Sequence, residues 1–289
     1  MYILRASFLF IFSLLFISIY AGNDNLNKAK ELFEAKKFRE AKSLLESLIE
    51  NNDKDHEAFY YLGRVNLGLN DYDEAEENFE EAIDLNGNVA EYHFWLAQAY
   101  GVDAMDSNVI TQTILAPKIK NEYETTLKLD NKHIGARVGL ANFYLIAPGI
   151  MGGDINKAYD QAHKIITLDE KRGRMILAGI YQKEKKVTKA EEEYKLLEKK
   201  YGDDAEFFGF YNTYGYFLLN QKRYEESIDK FKKQIQLVPK SVNAYDSLGD
   251  GYKAAGKNKE AIEAYEKAIS LDPNFKPSKE KLAELKKKK

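Results

Sequence analysis

The residue types that most often carry chemistry are scattered along this sequence. Its four histidines, His56, His93, His133 and His163, share no metal-ligand spacing, and none sits in a motif of the HExxH type. A zinc-like centre needs three or four converging donors, so no metal site is read. Cysteine is absent, which excludes disulfides, thiolate metal sites and cysteine nucleophiles together. No serine stands in a nucleophile-elbow motif. The stretch PGIMGGD, Pro148–Asp154, is the one candidate phosphate cradle, but it lacks the GK[ST] ending of a P-loop and joins two helical patterns. Amides opening the following helix would suit an anion. A structural turn using glycine's left-handed conformations is the plainer reading, and a partner contact at a loop edge is a third. The acidic run Asp71–Glu81 reads as a solvated face. No catalytic residue, cofactor or metal is assigned, and the chain reads as a non-enzyme.

Composition narrows the class further. Lys and Arg number 43 against 46 Asp and Glu, a net charge of -3, which gives no general affinity for nucleic acid. An apolar fraction of 44% is ordinary for a soluble protein, and five prolines suit a helical one. With 20 Tyr and 16 Phe against the single Trp95, aromatic filling falls to Tyr and Phe.

Residues 1–22 are a different material. Arg5 gives a basic start, and Phe8–Ala21 is apolar apart from two serines and a tyrosine. That length suits a signal-peptide core better than a bilayer span, which needs about 20 residues. Ala21 and Gly22 offer a cleavage point, although Ile19 is not ideal three positions before it. Secretion after cleavage is the expectation, with an uncleaved membrane anchor over residues 6–22 as the alternative. The lack of cysteine excludes a lipoprotein.

The elements that must position any site follow one pattern, clearest in Val242–Pro273. There Tyr245, Leu248, Gly249 and Tyr252 are followed by Ala261, Tyr265, Ala268 and a closing Pro273. This resembles the tetratricopeptide repeat, a helix–turn–helix with the pattern W-x2-L-G-x2-Y, then A-x3-F, then P, at a period of about 34 residues. The small Gly249 would let a second helix approach, with Ala261 as its counterpart. The tyrosines would fill the space between repeats. One such pair cannot bury its apolar face, so it must stack on others. The resemblance implies an all-α fold, a right-handed α-solenoid of about seven units with a C-terminal capping helix.

The units fall near 22–55, 56–89, 90–133, 134–170, 171–207, 208–241 and 242–273, with 274–289 as capping helix and lysine-rich tail. Ala41 and Ala75 stand 34 residues apart, as do Ser227 and Ala261. Gly87 replaces the closing proline of the second unit and is expected to end its helix in a left-handed C-cap. The third unit departs between Gly101 and Pro117 by an insertion of ten residues, before a second helix that carries Tyr123, Thr126 and Leu127. In the fourth unit the turn is longer by five residues and includes PGIMGGD, with Asp154 as N-cap of a helix starting at Ile155.

In this family the first helices line a concave groove, and the resemblance implies groove contacts at the fifth and ninth positions of each unit. These are Tyr60 and Arg64, Phe94 and Gln98, Val138 and Asn142, Met175 and Gly179, Asn212 and Tyr216, then Asp246 and Asp250. Partner binding is therefore assigned to Tyr60, Arg64, Phe94, Gln98, Asn142, Asn212, Tyr216, Asp246 and Asp250. The family's carboxylate clamp for chaperone tails is not completed, since Val138 stands beside Asn142 where lysine is required. The function implied is a non-enzymatic protein- or peptide-binding scaffold of the periplasm or secretory compartment. The alternative is a small-molecule or lipid carrier, in which an apolar groove and the two insertions close a pocket.

Overall fold

A computed structural model describes residues 24–287. The expected signal or anchor lies outside the described residues. Within them the chain is all α, with no strand. Helix α1 occupies 24–34. It is followed by α2 (Phe38–Asn51), α3 (His56–Leu69), α4 (Tyr72–Leu85), α5 (Ala90–Asp106), α6 (Val109–Leu129), α7 (Ile134–Ile146), α8 (Ile155–Leu168) and α9 (Glu170–Lys183). Next come α10 (Val187–Tyr201), α11 (Gly209–Asn220), α12 (Tyr224–Leu237), α13 (Val242–Ala254), α14 (Asn258–Leu271) and α15 (Lys276–Lys287). The chain forms two compact units, Met1–Ala190 and Glu191–Lys289, and the division falls inside α10.

Inside each unit, helices neighbouring in sequence pack on one another, the wiring of an α-solenoid. Small residues mark the contact seams. Ala41, Ala75, Ala158, Ala190 and Ala261 are fully buried, because only a methyl fits where two helices approach closely. The large partners are Phe79 in the first unit and Tyr194, Phe231 and Tyr265 in the second, all without significant solvent contact.

The turn inside a helix pair has its own signature, which the composition of the turns conceals. Lys36, Asn70, Lys185 and Lys222 have φ of 58°, 66°, 59° and 61°, and Gly256 has 75°. Each residue lets the chain leave the first helix and re-enter the second within three residues. Only Asn70 and Gly256 are types that favour this conformation.

The third and fourth pairs depart from that turn. The inserted segment around Val102–Pro117 lengthens both helices: α5 runs on to Asp106, and α6 starts at Val109, eight residues before Pro117. Asn108 explains that start, since its side chain accepts from the Ile110 and Thr111 amides at 2.9 and 3.2 Å. Pro117 is carried inside α6. In the fourth pair a 3-10 turn, Gly149–Met151, leads through Gly152 at φ 98° to Asp154. Asp154 is the N-cap expected of it, accepting from the Asn156 and Lys157 amides. Those are the amides an anion would have used, so the PGIMGGD stretch is a capped turn.

Two sequence expectations change here. The second unit's last helix is closed by Asn86 at φ -153°, and Gly87 is not left-handed; its carbonyl instead meets His93 Nε2 at 3.0 Å. The acidic run Asp71–Glu81 is not wholly solvated, because Glu76 and Glu80 turn toward Tyr100 and Asp103 on α5. The capping helix is where it was expected: α15 covers the end of the array with Leu285 and a fully buried Ser278.

Candidate functional site

The nine residues assigned to partner binding separate into three groups. The first, Tyr60 and Arg64, lies on α3. Tyr60 is not free for a partner: it is 8% exposed, stacked on Tyr92 at 4.9 Å and close to Phe79 at 6.1 Å. Burial pushes its hydroxyl up to about 12. Its aromatic ring serves packing because the α3–α4–α5 seam needs filling there. Arg64, one turn later, is half-buried and stands between rings. Its guanidinium carbon stands 4.5 Å from the Phe33 ring centre and 4.3 Å from that of Trp95. Phe33, Arg64 and Trp95 thus form a ladder with one rung from each of three successive first helices. Arg64 Nη1 reaches only Tyr60 Oη, at 3.4 Å, and its Nε has no hydrogen-bond partner. No carboxylate among the described residues pairs with it, whereas Lys30 in the same unit is matched by Glu57 at 3.0 Å.

The second group surrounds a cavity. Phe94, Gln98, Val138 and Asn142 line a space of about 680 Å³ between α5, α6 and α7. Both insertions contribute walls, through Val102 and Met105 on one side and Ile146 and Met151 on the other. Tyr123 Oη donates to Gln98 Oε1 at 2.9 Å and satisfies that polar group inside the wall. A methyl at Gly135 would come within 3.0 Å of the Phe94 ring, so this glycine sets the approach of α7 to α5. Arg172, from α9, is the only charged residue in the lining. Among the lining residues, Met105 and Ile146 are 81% and 72% exposed.

The third group belongs to the second compact unit and is joined into one polar network. Ser247 Oγ donates to Asn212 Oδ1 at 2.7 Å. Tyr216 Oη donates to Asp250 Oδ2 at 2.7 Å, and Tyr265 Oη to Asp250 Oδ1 at 2.8 Å. Lys281 of α15 binds Asp246 and Asp250, each at 2.8 Å, and Ser278 donates to Asp246 at 2.7 Å. Asp246 was expected to face a partner and is instead only 8% exposed. Two carboxylates under a helix need a cation and donors, and α15 supplies them.

The histidines are each engaged in packing or bonding. His93 faces Glu122 at 2.6 Å and the Gly87 carbonyl at 3.0 Å, two acceptors that favour its charged form. His133 meets Glu91 at 3.1 Å, and His56 meets Tyr92 Oη at 2.7 Å. Sequence reasoning missed Phe33, Trp95 and Arg172. Trp95 is one position past a predicted groove residue, and the spacing of 31 from Phe33 to Arg64 and again to Trp95 was the available signal.

Comparison with known proteins agrees with this construction. The tetratricopeptide repeat family profile matches residues 26–75 and 64–100, and again 242–275. A protein of Cyanophora paradoxa, the uncharacterized protein ycf37, is 32% identical over 108 residues, 37% of this chain. The chain spans less than two thirds of the length of the curated relatives it matches, 63% in that case. Yeast Tom70 is similar in structure with a TM-score of 0.69 and 20% identity, over 87% of this chain and 51% of that one. A tetratricopeptide repeat protein from Parabacteroides merdae gives 0.66 and 16%, over 91% of this chain and 98% of its own. At such identities the likeness is one of fold. Profile matches near both ends, the recurring glycine and alanine seams and these fold neighbours make the chain a tetratricopeptide-repeat protein.

Proposed function

We propose that the chain is a protein-binding scaffold whose first-helix face in the early repeats captures a partner segment bearing a carboxylate. Tetratricopeptide-repeat proteins are in general protein-interaction scaffolds and typically not enzymes. The observation that carries the finer reading is Arg64, its guanidinium carbon 4.5 and 4.3 Å from the ring centres of Phe33 and Trp95, with no carboxylate among the described residues paired to it. Aromatic and arginine side chains are the types that dominate binding energy at interfaces. The flanking rings confine the guanidinium, so less side-chain entropy is lost when it forms a charge-assisted pair. An acidic peptide segment supplies the missing charge.

Trp95 is the single tryptophan, so its fluorescence reports directly on occupancy. Peptides holding one Glu among apolar residues should bind at least tenfold more tightly than their Gln counterparts. Arg64→Gln should erase that difference while leaving the circular dichroism unchanged. Equal binding of Glu and Gln peptides, or an acid preference that survives Arg64→Gln, would overturn the reading. The apolar run Phe8–Ala21 supports an exported or membrane-tethered setting. Fractionation with amino-terminal sequencing checks it: a mature start after Ala21 or Gly22 supports secretion, and a retained segment supports the anchor.

A further inference from the structure

The geometry points to a second site, separate from the Arg64 ladder: the cavity between α5, α6 and α7 takes the hydrocarbon tail of a single-chain amphiphile, with its anionic head at Arg172. The size fits, since about 680 Å³ lies within the range of small-molecule sites, roughly 300–1,000 Å³. So does the lining. Phe94, Val102, Ile119, Val138 and Phe143 make its walls apolar, while polar side chains are confined to Gln98, Gln112, Tyr123 and Asn142 beside the one cation. A buried peptide segment would bring an N–H and a C=O with every residue, each needing a partner. Gln98 Oε1 already accepts from Tyr123, so the wall has few groups to offer. A hydrocarbon chain makes no such demand.

Arg172 is suited to the head. Its side chain is 55% exposed, and its own acid, Asp169, stands at 3.6 Å, so donors of the guanidinium remain open to a second anion. Both segments that depart from the repeat contribute to the walls that enclose the tail. Val102 and Met105 come from one, and Ile146 and Met151 from the other. Exposed apolar side chains such as Met105 and Ile146 at the opening would be partly covered by a bound chain.

Gly101 supplies a clean test. It lines the cavity, and a methyl added there meets nothing within 4 Å. The first carbon of a side chain there has open space, so Gly101→Leu has room to extend into the void and replaces glycine by a better helix former. The probe is a fluorescent 18-carbon polyene fatty acid, titrated into the full chain. Saturable binding of one probe per chain is expected. Gly101→Leu should weaken it at least tenfold with unchanged helical content and no loss of thermal stability. Arg172→Gln should weaken the acid at least fivefold and leave the corresponding long-chain alcohol unaffected. Displacement by a fatty acid alone assigns a carboxylate head, and displacement by a lysophosphatidic acid assigns a lipid phosphate; either supports the site. Absence of saturable binding, or full binding by Gly101→Leu, overturns the site. Equal loss of acid and alcohol in Arg172→Gln overturns the head assignment.

Discussion

Gly249 lies directly against the ring of Tyr265, sixteen residues downstream, so that a methyl group on the glycine would overlap the ring edge. Gly63 and Phe79 stand in the same relation, with 2.8 Å between such a methyl and Phe79 Cε1, as do Gly215 and Phe231. The missing side chain on the first helix is the seat of the aromatic on the second. Each repeat that keeps the family pattern in these pairs uses this one contact to set its interhelical distance.

Gly249→Leu should therefore overpack the α13–α14 seam and destabilise the protein by about 1–3 kcal/mol. Urea unfolding followed by circular dichroism measures it. The same substitution at Gly101, which faces open space, should cost nothing comparable. Equal losses at the two positions would show that glycine replacement in a helix, and not the Tyr265 ring, is responsible.

Tyr60→Ala separates packing from binding. Because the ring is 8% exposed and stacked on Tyr92, its loss should cost about 3–5 kcal/mol of stability. Arg64→Ala, at the half-buried middle rung of the ladder, should change stability much less and weaken peptide capture by about 2 kcal/mol. Thermal unfolding and Trp95 fluorescence titration of both variants decide the matter.

Lys281→Met leaves Asp246 and Asp250 without their shared cation. Removing one partner of a fully buried pair costs about 3–5 kcal/mol. The Lys281 side chain keeps 29% of its exposure, so water screens part of the loss and about 1–3 kcal/mol is expected. Hydrogen exchange should show α15 losing protection first. Retained protection there, with loss elsewhere, would contradict the capping role.

Glu76 makes stability fall as pH rises toward neutrality. Burial, with Asp103 nearby and Lys118 only partly opposing, pushes its carboxyl up to about 7. The folded state thus holds a proton that the unfolded chain releases near 4.5, so the stabilisation is complete below about 4.5 and lost through about 7. His93 has the same sign. Burial lowers its pKa, but the Glu122 and Gly87 acceptors outweigh burial and raise it. Glu76→Gln should stabilise the protein at pH 8 by about 1–2 kcal/mol, a figure reduced for a half-buried group, and do little at pH 4.5. Denaturant midpoints at the two pH values test this; a gain of equal size at both would sink the assignment.

The all-α repeat, its register and most of its seams were determined by the sequence alone, because they depend on residues a few turns apart. Leu248, Gly249, Ala261 and Tyr265 share two adjacent helices, and their spacing suffices to bring them together. The Asp154 cap is similarly local. Tertiary structure decided which face of a first helix remains available. Tyr60 and Arg64 are one turn apart and looked equivalent, yet Tyr92 covers the first, while Phe33 and Trp95 frame the second. Asp246 looked like the acidic end of a groove until Lys281, 35 residues later, closed over it. The cavity was legible only as two irregular segments. Whether they would become loops or longer helices turned on Asn108 capping α6 ahead of Pro117. Whether their apolar residues would meet turned on how α7 packs, which no local spacing encodes.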